Sequence, residues 1–491
     1  MHALVIGAGF GGIASALRLS AKGYQVTLID RCDQLGGRAQ SFERNGFRHD
    51  AGPTVITAPF LFEELFELFD EKLSDHLTLV PLTPWYRFHF SDGEHFDYGG
   101  TLEETLAEIC RIEPNDCEQY LKLLAHSKRI FDVGFTELST QPFHSFWVML
   151  KQVPRLIKLQ SYKTVWQLVC KYIRNEKLRQ AFSIQPLLVG GNPFNTTSIY
   201  GLIHYLERAY GVHFAMGGTK AIVLALENLM RRQGIKIQLG CSVKSILIDS
   251  DVAKGVQLEN GEKIPADIVV SNADPAYLYR HMIDPKQHSR SVKLKIRKPI
   301  FSMGLFVLYF GTTTVYSGIA HHTIWLGKRY KELLADIFDA KILSDDFSLY
   351  LHRPTATDPS FAPPGCDSFY VLCPVPNLLG GQDWSIEGPK LRNRIVSALD
   401  KTILPNLSET ITDDFYEMPT NFKENYLSEH GAGFSIAPLF SQSAWFRFHN
   451  RAEGIKNLYL VGAGTHPGAG IPGVISSAKV VDAIIPVSNS A

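Results

Sequence analysis

Apolar residues recur along this chain with two different periods, and the changes of period mark out its elements. Residues 4–6 (Leu4, Val5, Ile6) form an unbroken apolar run, the pattern of a parallel strand buried on both faces. Over 11–22 the small and apolar residues Ile13, Ala16, Leu17 and Ser20 fall at helical spacing, and Gly23 follows as a C-terminal stop. A second apolar strand is expected over 24–29, ending on Asp30. The same order returns near the end of the chain: a strand over 458–461, a glycine-rich turn, then a helix over 474–485. Between these ends the pattern predicts a helix after Met216-Gly217-Gly218-Thr219, then a strand over 237–248. A β-pair around Asn260-Gly261 and a strand over 266–271 follow; Asn-Gly between alternating apolar residues is a strong hairpin signal. Strands are also expected over 300–311 and 347–352. The first of these is the longest apolar candidate, yet it falls short of the ~18 residues a membrane-crossing helix needs. No internal repeat or low-complexity tract interrupts the pattern.

The glycines at the strand–helix junctions carry chemistry. Gly7, Gly9 and Gly12 have G-x-G-x-x-G spacing. One allows the tight turn, one lets a pyrophosphate approach the backbone, and the third lets the helix pack closely on the strand. Asp30, eighteen residues past Gly12, is placed to accept hydrogen bonds from ribose hydroxyls. A second glycine turn, Gly36-Gly37, precedes Arg38, and Gly52 and Thr54 follow in the stretch DAGPT (50–54). A nicotinamide enzyme has no general need of this element, whereas an extended FAD can use both the cation and the bare backbone on its diphosphate. Gly462, Gly464, Gly468, Gly470 and Gly473 crowd the turn after the 458–461 strand. A helix beginning there presents open N–H groups suited to the pyrimidine end of a reduced flavin.

Length and composition narrow the class. A chain of 491 residues exceeds one core of ~100–200 residues, so two or three domains are expected. Formal net charge is zero, 49 basic against 49 acidic residues, which gives no reason to expect nucleic acid. Thirty Phe and nineteen Tyr offer ample aromatic surface for an apolar ligand. Seven scattered cysteines with no C-x-x-C pair suggest reduced thiols in the cytosol, and a strand starting this early leaves no expected leader. No H-E-x-x-H, Cys/His cluster or G-x-S-x-G elbow is present, so neither a metal nor a hydrolase nucleophile is expected.

One stretch departs from the average. From 143 to 182 five lysines and three arginines face a single acid, Glu176, so the formal charge is 8 − 1 = +7. Trp147, Leu150, Ile157 and Trp166 are among the apolar residues interleaved with them. Basic residues mixed with Trp and Leu at helical spacing suit a helix lying in a membrane interface.

These motifs together resemble the bacterial-type phytoene desaturases, FAD enzymes within the larger amine-oxidase-like group. The resemblance runs end to end through VIGAGFGG (5–12), GGRA (36–39), FRHDAGPTVIT (47–57), LLVGGNPF (187–194) and SIYGLIHYLER (198–208). It continues through LFVLYFG (305–311), AHHT (320–323), SLYLH (348–352), QSAWFR (442–447) and, most narrowly, LVGAGTHPGAGIPGV (460–474). It implies an α/β fold with a Rossmann-like FAD-binding domain, a mixed-sheet substrate domain and a helical membrane-associating subdomain. The FAD domain is expected from 1–75, 217–285 and 425–491, and the substrate domain from 76–135 and 286–424. The membrane-associating region is expected over 136–216. Gly7, Gly9, Gly12, Asp30, Gly36, Gly37 and Arg38 would hold the ADP part and diphosphate, with Gly52 and Thr54 beside them and the Val243 backbone at the adenine. Gly464, Thr465, Gly470, Gly473 and Val474 would line the ribityl chain and flavin ring. Thr465 stands where many relatives have an acid, and its hydroxyl could make the same contact.

The activity implied is desaturation of phytoene or a similar long polyene toward neurosporene and lycopene, with quinone or oxygen as electron acceptor. Such a substrate must be collected from a bilayer, which favours peripheral association with the cytoplasmic face. Acid–base candidates are His321, His322, Glu207 and Arg208, with His466 inside the glycine loop. A carotenoid isomerase, a ketolase-like oxidase or a desaturase of thirty-carbon substrates would share fold and flavin. An amine oxidase would need a compact polar pocket, and a prenyl-protein carrier would have no reason to keep the C-terminal loop.

Overall fold

In the computed structural model, which describes residues 1–143 and 145–488, the first apolar run is the strand His2–Ile6 at the centre of a five-stranded parallel sheet. Its neighbours are Ile268–Ser271 and Gln25–Ile29, with Leu458–Leu460 and Lys236–Gln238 at the edges. Ala3, Leu4 and Val5 are fully buried, which explains why this strand shows no alternation. Helix Phe10–Ala21 lies on the sheet with Ile13 and Leu17 at zero exposure, each contributing roughly 1.5–3 kcal/mol by burial. It ends as expected: Gly23 takes a φ of 82° and donates its N–H to Ser20 O at 2.9 Å.

The first helix also packs on the last, Ile471–Ile484. Arg18 pairs with Glu64 (3.1 Å) and Asp482 (3.6 Å), and Lys22 pairs with Asp482 while donating to the Ile485 carbonyl at 2.7 Å. A cation on the last carbonyls of a helix satisfies groups that would otherwise lack partners. The two ends of the chain are therefore one packing unit.

Two expectations need correction here. The strand expected over 237–248 is two strands in different sheets, Lys236–Gln238 in the parallel sheet and Val243–Asp249 in a three-stranded antiparallel one. Gly240, at a φ of 67°, turns the chain between them, and its N–H and that of Cys241 bond to the carbonyls of Cys32 and Asp30. The Asn260-Gly261 hairpin does form, joining Val252–Leu258 to Lys263–Pro265 with Gln257 opposite Lys263. Nor are all seven thiols free: Cys110 and Cys117 form a disulfide, because the corner between helices Leu102–Ile112 and Asp116–Phe131 sets their Cα atoms 5.6 Å apart.

A seven-stranded mixed sheet faces the parallel one across the molecule. Its order is Ile411–Glu417, Gly304–Thr312, Asp367–Val375, Leu349–His352, His322–Trp325, Tyr86–His89, His95–Tyr98. Only the pair formed by His322–Trp325 and Tyr86–His89 is parallel. Every residue of Gly304–Thr312 is buried, as a continuous apolar run requires.

The basic-aromatic stretch divides into unlike parts. Val165, Leu168, Val169, Leu178 and Phe182, on helices Val165–Tyr172 and Glu176–Phe182, sit in a core cluster with the mixed sheet. Helix Phe146–Lys158 has no buried residue, and Trp147 is 71% and Ile157 59% exposed. Within this stretch the large exposed apolar side chains are Phe146, Trp147, Leu150 and Ile157 on that helix, with Tyr162 just after it. His144, inside the expected region 136–216, and residues 489–491, at the end of the expected segment 425–491, lie outside the described residues.

Candidate active site: one cavity between two glycine loops and an apolar sheet

A single cavity of about 790 Å³ runs from the first glycine loop, past the C-terminal one, to the face of the mixed sheet. Its nucleotide-like end is built by backbones in contact. The Gly36 N–H donates to Ala8 O at 2.8 Å, and a Cβ on Gly37 would come within 3.1 Å of the Gly9 Cα, so the two N-terminal glycine turns stack. Asp30 holds this arrangement from below: its carboxylate accepts from the N–H groups of Ala8 (2.6 Å) and Cys32 (2.8 Å). Each of those oxygens keeps a further lone pair at the cavity wall.

Asn272, immediately after the strand Ile268–Ser271, is wedged between the loops. A Cβ on Gly11 would meet its Oδ1 at 2.6 Å, and one on Gly462 would meet the same atom at the same distance. A lone asparagine at a strand end carries no local pattern by which the sequence could single it out. Arg447, in the QSAWFR segment, is a second organiser that no local pattern announces. Buried, it donates to the carbonyls of Thr465 (2.9 Å), Ala463 (2.6 Å) and Gln442 (3.2 Å), which fixes the C-terminal loop.

Of the residues expected around the cofactor, Gly7, Gly9, Asp30, Gly36, Gly37, Arg38, Gly52, Thr54, Val243, Gly464, Gly470, Gly473 and Val474 all line this cavity. Gly12 and Thr465 do not. Gly12 packs against Gly7, the helix-on-strand role its spacing implies. Thr465 is a correction: it is buried, and its hydroxyl donates to Gly462 O at 2.9 Å, so it closes its own turn and does not face the cavity.

The walls test for an anionic dinucleotide on their own terms. Arg38 reaches Ser428 Oγ through one nitrogen at 3.1 Å, yet its Nε is buried with no partner. A buried orphan donor on a cation, beside bare glycine backbone and the start of helix Ile471–Ile484, is what a diphosphate and a flavin would complete. The residues present fit FAD.

Beyond the glycine loops the cavity is apolar. Leu305, Tyr370 and Leu372 of the mixed sheet face Leu187, Leu202 and Ile203 from the helical side, and Phe143, Met149, Leu156 and Phe446 lead outward. Glu207 is the acid in this part. Its Oε1 accepts from the Tyr86 hydroxyl at 2.9 Å, while Oε2 is buried without a partner. Burial pushes the Glu207 carboxyl up to about 8, against the lowering pull of the Tyr86 hydroxyl, Arg208 and Gln185.

The other acid–base candidates are corrected by their places. Arg208 lies outside the cavity wall, stacked 4.4 Å over Trp85 and donating to Gly100 O and Thr105 Oγ1. His321 and His322 lie behind the wall, and burial keeps both imidazoles well below their usual pKa. His466 does line the cavity, but its Nε2 meets Leu138 O at 3.0 Å and burial lowers its pKa to about 4, so it ties the loop to the helical side. A histidine cluster that the sequence motifs do not announce is also present. His321 and His322 meet His352, because strand register sets His322 opposite a residue thirty positions away, which no local spacing can reveal.

The profile of the family described as flavin containing amine oxidoreductase matches residues 10–481. The chain is 46% identical over 483 residues to a lycopene-forming phytoene desaturase of Pseudescherichia vulneris, covering 98% of each. It is 42% identical over 491 residues to a neurosporene-forming phytoene desaturase of Rhodobacter capsulatus, covering 99% of this chain and 94% of that one. Among solved structures, an oxidoreductase from Methanosarcina mazei superposes with a TM-score of 0.66 at 17% identity, over 98% of this chain and 99% of that one. The fold is thus the α/β, mixed-sheet arrangement of flavin amine oxidases.

Proposed function

The chain belongs to the bacterial-type phytoene desaturases of the flavin containing amine oxidoreductase family, and from that premise we propose how its cavity desaturates phytoene. The observation that carries the reading is one continuous cavity, polar backbone at the glycine loops and apolar elsewhere. FAD, when bound, supplies the acceptor for a hydride from an allylic carbon. In our reading Gly7, Gly9, Asp30, Gly36, Gly37 and Arg38 hold its ADP and diphosphate, with Gly52, Thr54 and Val243 beside them. Gly464, Gly470, Gly473 and Val474 line the ring end, and Gly12 acts through packing. The cofactor-binding part comprises 1–75, 217–285 and 425–491, with 76–135 and 286–424 forming the substrate part and 136–216 the helical region.

The protein's own contribution follows from the substrate's chemistry. A saturated carbon flanked by alkenes has no acidic C–H, so a base alone cannot begin the reaction. Once an allylic hydrogen has left with its electron pair, conjugation stabilises the cation, and the adjacent C–H becomes acidic enough for a weak base. Glu207 Oε2, unpartnered and facing an apolar cavity, takes that proton in our reading, while Tyr86 orients the carboxylate through Oε1. The apolar walls align the polyene and exclude water. Successive passes give neurosporene and lycopene, and quinone or oxygen accepts the electrons.

The entrance supports a membrane source for the substrate. Met149 and Leu156 of helix Phe146–Lys158 line the cavity while Trp147, Leu150 and Ile157 of the same helix are exposed, with Phe440 and Phe446 exposed nearby. Lys151 and Lys158 belong to the same helix and Lys163 follows it in the chain; Arg155 is engaged with Glu137 at 2.6 Å. We place the protein peripherally on the cytoplasmic face. At ~1 kcal/mol per free cation, replacing these three lysines by Gln is expected to weaken binding to anionic vesicles by about a hundredfold. Absence of vesicle binding by the intact protein overturns the membrane reading.

Incubation with FAD, phytoene-loaded liposomes and either air or a quinone tests the whole. Chromatography is expected to show neurosporene or lycopene accumulating. Unchanged phytoene in every arm, with flavin bound, would sink it.

A further inference from the structure

Polar atoms that the desaturation chemistry does not use converge behind the cavity wall. His321 lies in the bend just before the strand His322–Trp325, its ring centroid 4.6 Å from that of His322. His352, the last residue of Leu349–His352, lies 4.8 Å from the first ring and 5.4 Å from the second. One ring nitrogen of each lies within 4.8 Å of the other two, and all three side chains are buried.

Their hydrogen bonds leave the facing atoms free. His321 Nδ1 meets Thr357 Oγ1 at 2.7 Å, and His322 Nδ1 meets the Tyr350 hydroxyl at 2.7 Å, which in turn meets Thr54 Oγ1. The Nε2 atoms of His321 and His322, both nitrogens of His352, and Asp50 Oδ2 are buried with no partner. Asp50 Oδ2 lies 3.6 Å from His352 Nε2. Buried polar groups in native proteins are almost always paired, so five orphans in one place call for a common partner. With Nδ1–H donated to a hydroxyl, each Nε2 presents a lone pair.

The geometry points to a metal site: His321, His322 and His352 bind one divalent first-row transition ion, with the Asp50 carboxylate lying against His352. Three imidazoles suit zinc, iron(II) or cobalt(II) and not the oxygen-seeking calcium or magnesium. The hydroxyls of Thr357 and Tyr350 supply the outer hydrogen bonds that orient ligating histidines. An ion ~2.1 Å from each nitrogen would draw the ring nitrogens to about 3.4 Å apart, a modest contraction. Asp50 provides the compensating charge. The neighbouring cation Arg353 is already paired with Asp367 at 3.0 Å. None of the three histidines lines the cavity, so the ion is structural: it ties the start of His322–Trp325 to the end of Leu349–His352 and steadies Tyr350, which does line the cavity.

The test uses the full FAD-loaded protein, stripped with a chelator, desalted and supplied with zinc or cobalt chloride. About one equivalent of metal is expected to remain after desalting, with the visible bands of four-coordinate cobalt and a rise in Tm on adding zinc. His352→Phe and His321→Gln are each expected to lower retained metal by about tenfold or more. No retained metal in the wild type overturns the proposal, as does equal retention in both variants, which would place the ion on surface groups such as His281 and Glu429. If the variants do not fold, X-ray absorption of the cobalt-loaded wild type decides. Histidine-rich coordination supports the site, and oxygen-rich coordination overturns it.

Discussion

Glu207→Gln is expected to lower kcat by about 10²–10³ while leaving FAD binding intact. The substituted amide keeps the shape and still accepts the Tyr86 hydroxyl at its oxygen, so the cavity wall is unchanged. What disappears is the carboxylate oxygen left free to take a proton. The pH profile gives the independent readout. Burial raises the carboxyl to about 8, so the proton-accepting form is the minor one at neutral pH and grows about tenfold per pH unit below that value. Wild-type turnover should climb toward pH 8 and then level, and the variant should lack that limb. Stability runs the other way. A raised carboxyl favours the folded state fully below its ordinary value of 4.5 and loses that contribution as the pH rises to about 8. The variant should therefore gain in Tm relative to wild type over that window. A variant with wild-type turnover, or an unaltered pH limb, removes Glu207 from the chemistry.

What the sequence could and could not disclose follows from how far apart the interacting residues lie along the chain. Strand, glycine turn and helix are local, so Gly7 to Gly12 and the 458–474 segment were legible as a pair of strand–turn–helix units that meet in one sheet. Gly36 and Gly37 were legible because only bare backbone stacks on Gly9. Features made by register were not. His352 reaches His322 only through antiparallel pairing, and Asn272 touches Gly462 only because two strands 190 residues apart are neighbours. Thr465 shows a different limit. Its position in the loop was read correctly, but a hydroxyl can turn to its own backbone, and here it does. The strand over 237–248 failed because apolar alternation continues across Gly240 while the chain changes sheets. In the basic stretch, composition could not separate the core side chains of 165–182 from the exposed ones of 146–158; both are amphipathic, and only packing distinguishes them.

Packing also sets the second large effect, which rests on one hydrogen atom. Gly12 has ordinary helical backbone, so an alanine there is not strained by conformation. Its Cβ would nevertheless lie 1.9 Å from the Gly7 carbonyl oxygen and 3.4 Å from the Asn272 Cβ. The oxygen belongs to backbone in the middle of the glycine loop and has no rotamer to escape into. Helix Phe10–Ala21 must then lift from the strand His2–Ile6, and everything stacked on the loop moves with it. That includes the Gly36 N–H held by Ala8 O and the Ala8 N–H held by Asp30. Gly12→Ala is thus expected to destabilise the fold by about 1–3 kcal/mol and, because the diphosphate cradle is displaced, to lower bound FAD by tenfold or more. Gly318→Ala is the control, since nothing lies within 4 Å of the Cβ it would add. The two should separate in a single measurement, the ratio of flavin to protein absorbance after desalting. If Gly12→Ala keeps a full complement of FAD, the close helix-on-strand contact does not shape the cofactor site, and Gly12 loses the role its spacing assigns.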